Sequence, residues 1–172
     1  FLHDTYANFH SSLSLSNDTF GNQNTDRIVS VETINGGNGD DLIDLTSPNT
    51  QLSDSMILNG GAGNDIIWSS AGTDILNGGD GDDILFGGNG IDELIGGNGA
   101  DTFEFCNQSA NDIIKDYNKT DGDKLAFFIQ SGDNQSVSFS GDTIIWGSLS
   151  IQLEGLTLYS TNDFLVEYNI VA

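Results

Sequence analysis

GGAGNDIIW (60–68), SSAGTDILN (69–77), GGDGDDILF (78–86), GGNGIDELI (87–95) and GGNGADTFE (96–104) run back to back through the middle of the chain. Aligned in nines, they place glycine at positions 1, 2 and 4, aspartate at 6 and an apolar residue at 8. The second copy keeps only Gly72, Asp74 and Leu76 of that pattern. A further copy, GGNGDDLID (36–44), stands apart upstream. One G-G-x-G carries little information. Five in unbroken register define a repeat architecture, in which each unit buries its apolar residue only against its neighbours.

Each nonapeptide divides into a six-residue loop and a three-residue strand. Glycine lets the loop backbone take positive φ and approach an ion closely. Loop carbonyls and the position-6 carboxylate then form an all-oxygen donor set, which suits Ca²⁺ rather than zinc or copper. The position-8 residues, Ile43, Ile67, Leu76, Leu85, Leu94 and Phe103, are all apolar. With a strand period of two, they face one side and build a thin core when strands stack.

The pattern GGxGxDxUx resembles the RTX calcium-binding repeat. That resemblance implies an all-β fold, a right-handed parallel β-roll (a β-solenoid) with a C-terminal antiparallel β cap. Two nonapeptides make one turn in that family, so loops 60, 78 and 96 would share one edge and loops 69 and 87 the other. Calcium sits between stacked loops, bound by carbonyls of positions 2 and 4 with the aspartate of one loop, and carbonyls of positions 1 and 3 with the aspartate of the next. Carried onto this chain, one site would use Gly61, Gly63, Asp65, Gly78, Asp80 and Asp83. A second would use Gly79, Gly81, Asp83, Gly96, Asn98 and Asp101. On the other edge, Ser70, Gly72, Asp74, Gly87, Asn89 and Asp92 would form a third, with serines in place of the usual glycines. Loop 36 precedes loop 60 by one turn plus a six-residue insertion (45–50), giving a site of Gly37, Gly39, Asp41, Gly60, Ala62 and Asp65.

Composition narrows the function. The net charge is −22, and residues 28–114 contain no Lys or Arg. Such acidity excludes a nucleic-acid partner, whose phosphates need basic groups, and an anionic membrane surface. Acidic runs are commonly solvated disorder, but here they recur at fixed register beside glycine. Without cations the roll repels itself, so folding and metal binding should be one event. Cys106 is the only cysteine, leaving no intramolecular disulfide and no zinc cluster. No transmembrane stretch or N-terminal signal peptide appears. The chain starts with Phe1, so we expect a section of a longer protein.

Residues 1–30 read as a polar lead-in whose His3 and His10 lack any H-E-x-x-H context, so no catalytic residue is assigned. Residues 31–104 read as the roll. SMILNGG (55–61) echoes TDILNGG (73–79), placing a degenerate repeat at 51–59. Ile66, Trp68, Ile84 and Phe86 should share one outer face, an apolar patch fit for a contact. Residues 105–172 read as a cap with strands in LAFFIQ, SVSFSG, DTIIWG, LSIQLEGL and DFLVEYNIVA. DIIKDYNKTDGDKLAF resembles the segment that follows the repeats in type I secreted RTX proteins, where the residues matching Asp116 and Asp123 help bind a further ion. The apolar, acidic end resembles an uncleaved C-terminal secretion signal.

These resemblances imply a secreted, cell-surface calcium module with several Ca²⁺ ions. Its partners would be a type I machine with its ABC transporter and the rest of a large Gram-negative adhesin. Alternatives are the non-catalytic tail of an RTX protease, lipase or toxin, a polysaccharide-binding roll, and a glycan- or ice-binding solenoid. Neither H-E-x-x-H nor G-x-S-x-G occurs. The four basic residues make a poor groove for an anionic polymer, and the irregular outward residues count against a flat adhesive face.

Overall fold

The computed structural model describes residues 13–14, 32–46, 53–106, 111–130, 137–156 and 165–171. Its strands are β1 (Leu13–Ser14), β2 (Thr33–Asn38), β3 (Leu42–Asp44), β4 (Ile57–Ala62), β5 (Ile66–Trp68), β6 (Ile75–Asp80), β7 (Ile84–Phe86) and β8 (Glu93–Asn98). After these come β9 (Thr102–Cys106), β10 (Ile113–Ile114), β11 (Lys124–Gln130), β12 (Val137–Ser140), β13 (Thr143–Trp146), β14 (Leu149–Leu153) and β15 (Leu165–Val171). No helix occurs among the described residues. Outside Leu13–Ser14, the lead-in with its two histidines lies beyond them, as does the insertion around Pro48.

From β1 to β11 successive strands alternate between two sheets, and within each sheet the repeats stack in parallel. One sheet has the order β1-β3-β5-β7-β9-β11-β15, the other β12-β13-β14-β10-β8-β6-β4-β2. Leu76 pairs with Leu58 and Leu94, and Leu85 with Ile67. Thus every position-8 residue stands on its counterpart one turn away. β4 pairs with β2 across 24 residues, Gly37 opposite Gly61, and Leu58 of the degenerate repeat pairs with Leu76.

The core is one side chain deep from each sheet. Ile43, Ile67, Leu85 and Phe103 project from one, and Ile34, Leu58, Leu76, Leu94 and Ile114 from the other, all buried. Burying each such side chain gives about 1.5–3 kcal/mol. Leu45 differs from expectation. It is fully buried, and its N–H donates to Trp68 O at 2.8 Å. The chain therefore still follows the roll at 45, and the insertion starts later.

Past residue 104 the nonapeptide fades but the stacking continues. β10 lies between β8 and β14, and β11 between β9 and β15, all in parallel. Only β12, β13 and β14 run antiparallel, so the cap combines an antiparallel meander with parallel closing strands. Phe105, Phe127 and Trp146 fill its interior, with ring centroids 5.7 Å and 5.0 Å apart along the row. Lys115 bridges the rungs outside, pairing with Glu93 and Glu154. Ile66 lies beside Ile84 and Trp68 beside Phe86 on one outer face, as the spacing requires, and all four are half-buried rather than bare.

Candidate metal centre

The loops between strands stack as closely as the strands do. Positions 2 and 4 take positive φ, for example 118° at Gly79 and 135° at Gly81. A Cβ at Gly79 would stand 2.0 Å from Gly61 O, and one at Gly81 2.1 Å from Gly63 O. Any side chain there would both strain the backbone and strike the carbonyl of the turn before. Glycine is required because loop backbones lie directly on one another.

Position 6 forms two carboxylate ladders. On the first edge, Asp41 N–H donates to Asp65 Oδ1 (2.8 Å), Asp65 to Asp83 (2.7 Å), Asp83 to Asp101 (3.0 Å) and Asp101 to Asp123 (3.1 Å). On the second, Met56 N–H donates to Asp74 Oδ1 (2.8 Å), Asp74 to Asp92 (2.8 Å) and Asp92 to Asp112 (3.0 Å). All eight of these aspartates are buried. An exposed ladder at position 5 runs the other way: Asn64 N–H donates to Asp40 Oδ1, Asp82 to Asn64 and Ala100 to Asp82.

The second oxygen of the buried carboxylates decides whether an ion fits. Oδ2 of Asp65, Asp83, Asp92, Asp101 and Asp112 is buried with no hydrogen-bond partner. A buried carboxylate oxygen without a donor is costly. At Gly60, the point a Cβ would fill lies 2.2 Å from Asp65 Oδ2 and 2.7 Å from Gly78 O. At Gly78 the corresponding values are 2.2 Å to Asp83 Oδ2 and 2.7 Å to Gly96 O. A carboxylate of one turn and a carbonyl of the next thus converge beside a residue with no side chain. This donor set fits a hard divalent cation.

Electrostatics agree. Burial first, and repulsion from stacked neighbours second, push Asp65 up to about 6 and Asp101 to about 7, against backbone N–H bonds that pull them down. Asp92 likewise reaches about 7, and burial lifts Asp112 to about 6. Burial also raises Asp74, Asp83 and Asp123.

The stacking brings the sequence-predicted sets together. Gly61 lies opposite Gly79 and Ala62 opposite Asp80, Gly79 opposite Gly97 and Asp80 opposite Asn98. Asn38 lies opposite Ala62, joining loop 36 to loop 60, and Ala71 lies opposite Asn89 on the second edge. The position-3 carbonyls already accept one N–H each: Ala62 from Gly39, Asp80 from Gly63, Asn98 from Gly81 and Asn89 from Gly72. A carbonyl keeps a second lone pair for a ligand. Among the described residues no three His, Cys, Asp or Glu side chains converge on one point. Main-chain oxygens make up most of such a site, with two carboxylates at most.

Asp116 and Asp123, expected to help bind a further ion, accept protein donors. Asp116 Oδ1 and Oδ2 accept the N–H groups of Gly96 and Gly97, each at 2.9 Å. Asp123 Oδ2 accepts Asn118 N–H at 2.7 Å. Both seal the last loop with protein donors. Asp112, absent from the sequence-based sets, is the rung above Asp92. Its signal was present, because NDII at 111–114 repeats NDII at 64–67.

An all-β solenoid with stacked, glycine-tight, carboxylate-lined loops defines a metal-binding roll. Residues 31–46, 57–85 and 77–104 match the family described as the RTX calcium-binding nonapeptide repeat, in 4 copies. The stacked loops are an RTX calcium-binding β-roll. No curated protein matches the chain.

Proposed function

We propose that this chain is the calcium-folded C-terminal module of a large exported surface protein, an adhesin by preference, and that it directs export by a type I machine. The observation that carries the reading is the column of buried carboxylates whose Oδ2 atoms lack donors, set in a core one side chain deep. Bound calcium supplies the compensating positive charge and accepts oxygen donors from two successive turns. Asp65, Asp83 and Asp101 would hold it on the first edge, with the carbonyls of Gly61, Gly63, Gly78, Gly79, Gly81 and Gly96. Where calcium is scarce these groups repel one another and the chain stays threadable. Outside the cell, modules of this kind bind with Kd of about 10⁻⁴–10⁻³ M. The sealing of the last loop by Asp116 and Asp123 suits a folding front that starts at the exported C-terminal end. We assign no catalysis to this segment.

Circular dichroism during Ca²⁺ titration of EDTA-treated protein tests the folding half, with Mg²⁺ as control. A cooperative, Ca²⁺-specific gain of β-structure is expected. A full β-spectrum in EDTA would refute it. Export is tested by fusing the whole chain behind a reporter in cells carrying a type I transporter. Retention of the reporter inside would remove the secretion role.

A further inference from the structure

Ser69 departs from the repeat at position 1, and its surroundings say what the departure does. At glycine positions a Cβ would stand 2.2 Å from Asp65 Oδ2 at Gly60, 2.2 Å from Asp83 Oδ2 at Gly78 and 2.4 Å from Asp92 Oδ2 at Gly87. Ser69 puts a Cβ and a hydroxyl into that same space. It is buried, and its Oγ donates to Asp74 Oδ2 at 2.5 Å. Asp74 Oδ1 accepts the Met56 N–H at 2.8 Å. Both oxygens of Asp74 are therefore satisfied by protein donors, unlike Oδ2 of Asp65, Asp83, Asp92, Asp101 and Asp112.

The turn before is altered in a matching way. Met56, buried, occupies the register place of a position-6 aspartate. Leu45 follows β3 as Ser69 follows β5: its N–H donates to Trp68 O, as that of Ser69 donates to Phe86 O. One acid is thus missing, one glycine space is filled by leucine, and one carboxylate is bonded by a hydroxyl. All three changes fall on one edge.

We propose that the Ser69 hydroxyl stands in for a calcium ion at this rung, so that the second edge from Met56 to Asp74 is held by protein hydrogen bonds alone. The proposal rests on the calcium-module reading, since a hydroxyl replaces an ion only where one would otherwise sit. An O–H donated to a carboxylate is among the stronger hydrogen bonds. With Met56 below, the Asp74 carboxylate also has one charged neighbour fewer in its ladder. It follows that Ser70, Gly72 and Asp74 do not act as calcium ligands with Gly87, Asn89 and Asp92. The roll then carries its ions chiefly on the edge of Asp65, Asp83 and Asp101.

Native mass spectrometry of the full chain in saturating Ca²⁺ counts the ions directly. Ser69→Gly should bind one more ion than the wild type, because it reopens the space and frees Asp74 Oδ2. Ser69→Ala should bind no more, because its Cβ still fills the space. Asp74→Asn, which keeps an oxygen for the hydroxyl, should leave the count unchanged, whereas Asp83→Asn should lose at least one ion. A Ser69→Gly chain that folds and matches a calcium-loaded wild type overturns the proposal. So does an Asp74→Asn loss equal to that of Asp83→Asn, whether or not Ser69→Gly folds. A wild type that takes up no calcium overturns the module reading itself, and the proposal with it.

Discussion

On one edge of the roll, Asp41, Asp65, Asp83, Asp101 and Asp123 rise in a single ladder. On the other, the ladder begins with Met56 and passes through Asp74, Asp92 and Asp112. Both edges close the same core and share the same hydrogen-bond direction. They differ in what they leave unsatisfied. The first keeps a glycine beside every carboxylate from Asp41 to Asp101, whereas the second fills two such places with Leu45 and Ser69. Stacking and metal binding are thus separable demands. The backbone enforces stacking on both edges, while the Oδ2 atoms without a donor lie at Asp65, Asp83 and Asp101 on one and at Asp92 and Asp112 on the other.

The largest expected effects come from glycines that should treat the edges alike. Gly79→Ala puts a Cβ 2.0 Å from Gly61 O, and Gly90→Ala on the other edge puts one 1.6 Å from Gly72 O, both at positive φ. Each should cost on the order of 3 kcal/mol or more in calcium-saturated urea unfolding. A tolerated Gly90→Ala would break the claim that both edges are equally tight. The core should be as even-handed, with Leu85→Ala and Leu76→Ala each costing about 2–5 kcal/mol.

Charge should separate the calcium-free from the calcium-loaded roll. Without metal, the folded state holds Asp65 up to about 6 and Asp92 and Asp101 up to about 7, against about 3.9 in an unfolded chain. The folded state therefore binds more protons between about pH 4 and 7, and metal-free stability should rise as pH falls through that window. In calcium the slope should reverse, because ion and protons compete for the same carboxylates. Circular dichroism at pH 7.5 and 5.5, in EDTA and at fixed calcium, checks both signs. Slopes of the same sign would detach the carboxylates from the metal. The smallest effect should be Asn64→Ala in the exposed position-5 ladder, under about 1 kcal/mol by the same unfolding assay.

Most of this arrangement was legible in the sequence because a repeat writes its contacts locally. The repeat spacing, with the two-per-turn stacking that the RTX resemblance implies, placed Gly61 on Gly79, Ile43 on Ile67 and the 24-residue step between loops 36 and 60. The strands after residue 124 were also readable from their alternation. What local pattern does not encode is partner choice. Nothing in LVEYNIV states that β15 lies parallel to β11. Nor does a lone leucine after β3 announce that it is buried. Ser69 read as a defect in the motif, because its hydrogen bond depends on where Asp74 Oδ2 lies in three dimensions. Asp112 was overlooked because the glycines that advertise the other rungs are missing around it.

The turn at 118–123 ends the first carboxylate ladder, although the sheet beside it goes on from β11 to β15. Each rung of the first ladder leaves its amide to be completed by the carboxylate of the next, so each turn invites another. Asp123 breaks that chain of obligations. Its N–H bonds to Asn118 O within its own turn at 3.3 Å, its Oδ2 takes Asn118 N–H, and its carbonyl takes the Tyr117 hydroxyl. The Asp123 amide is therefore not held out to the carboxylate of a further rung, as those of Asp41, Asp65, Asp83 and Asp101 are. A ladder in which every rung depends on the next needs a stopping rule, and a single self-contained turn supplies it.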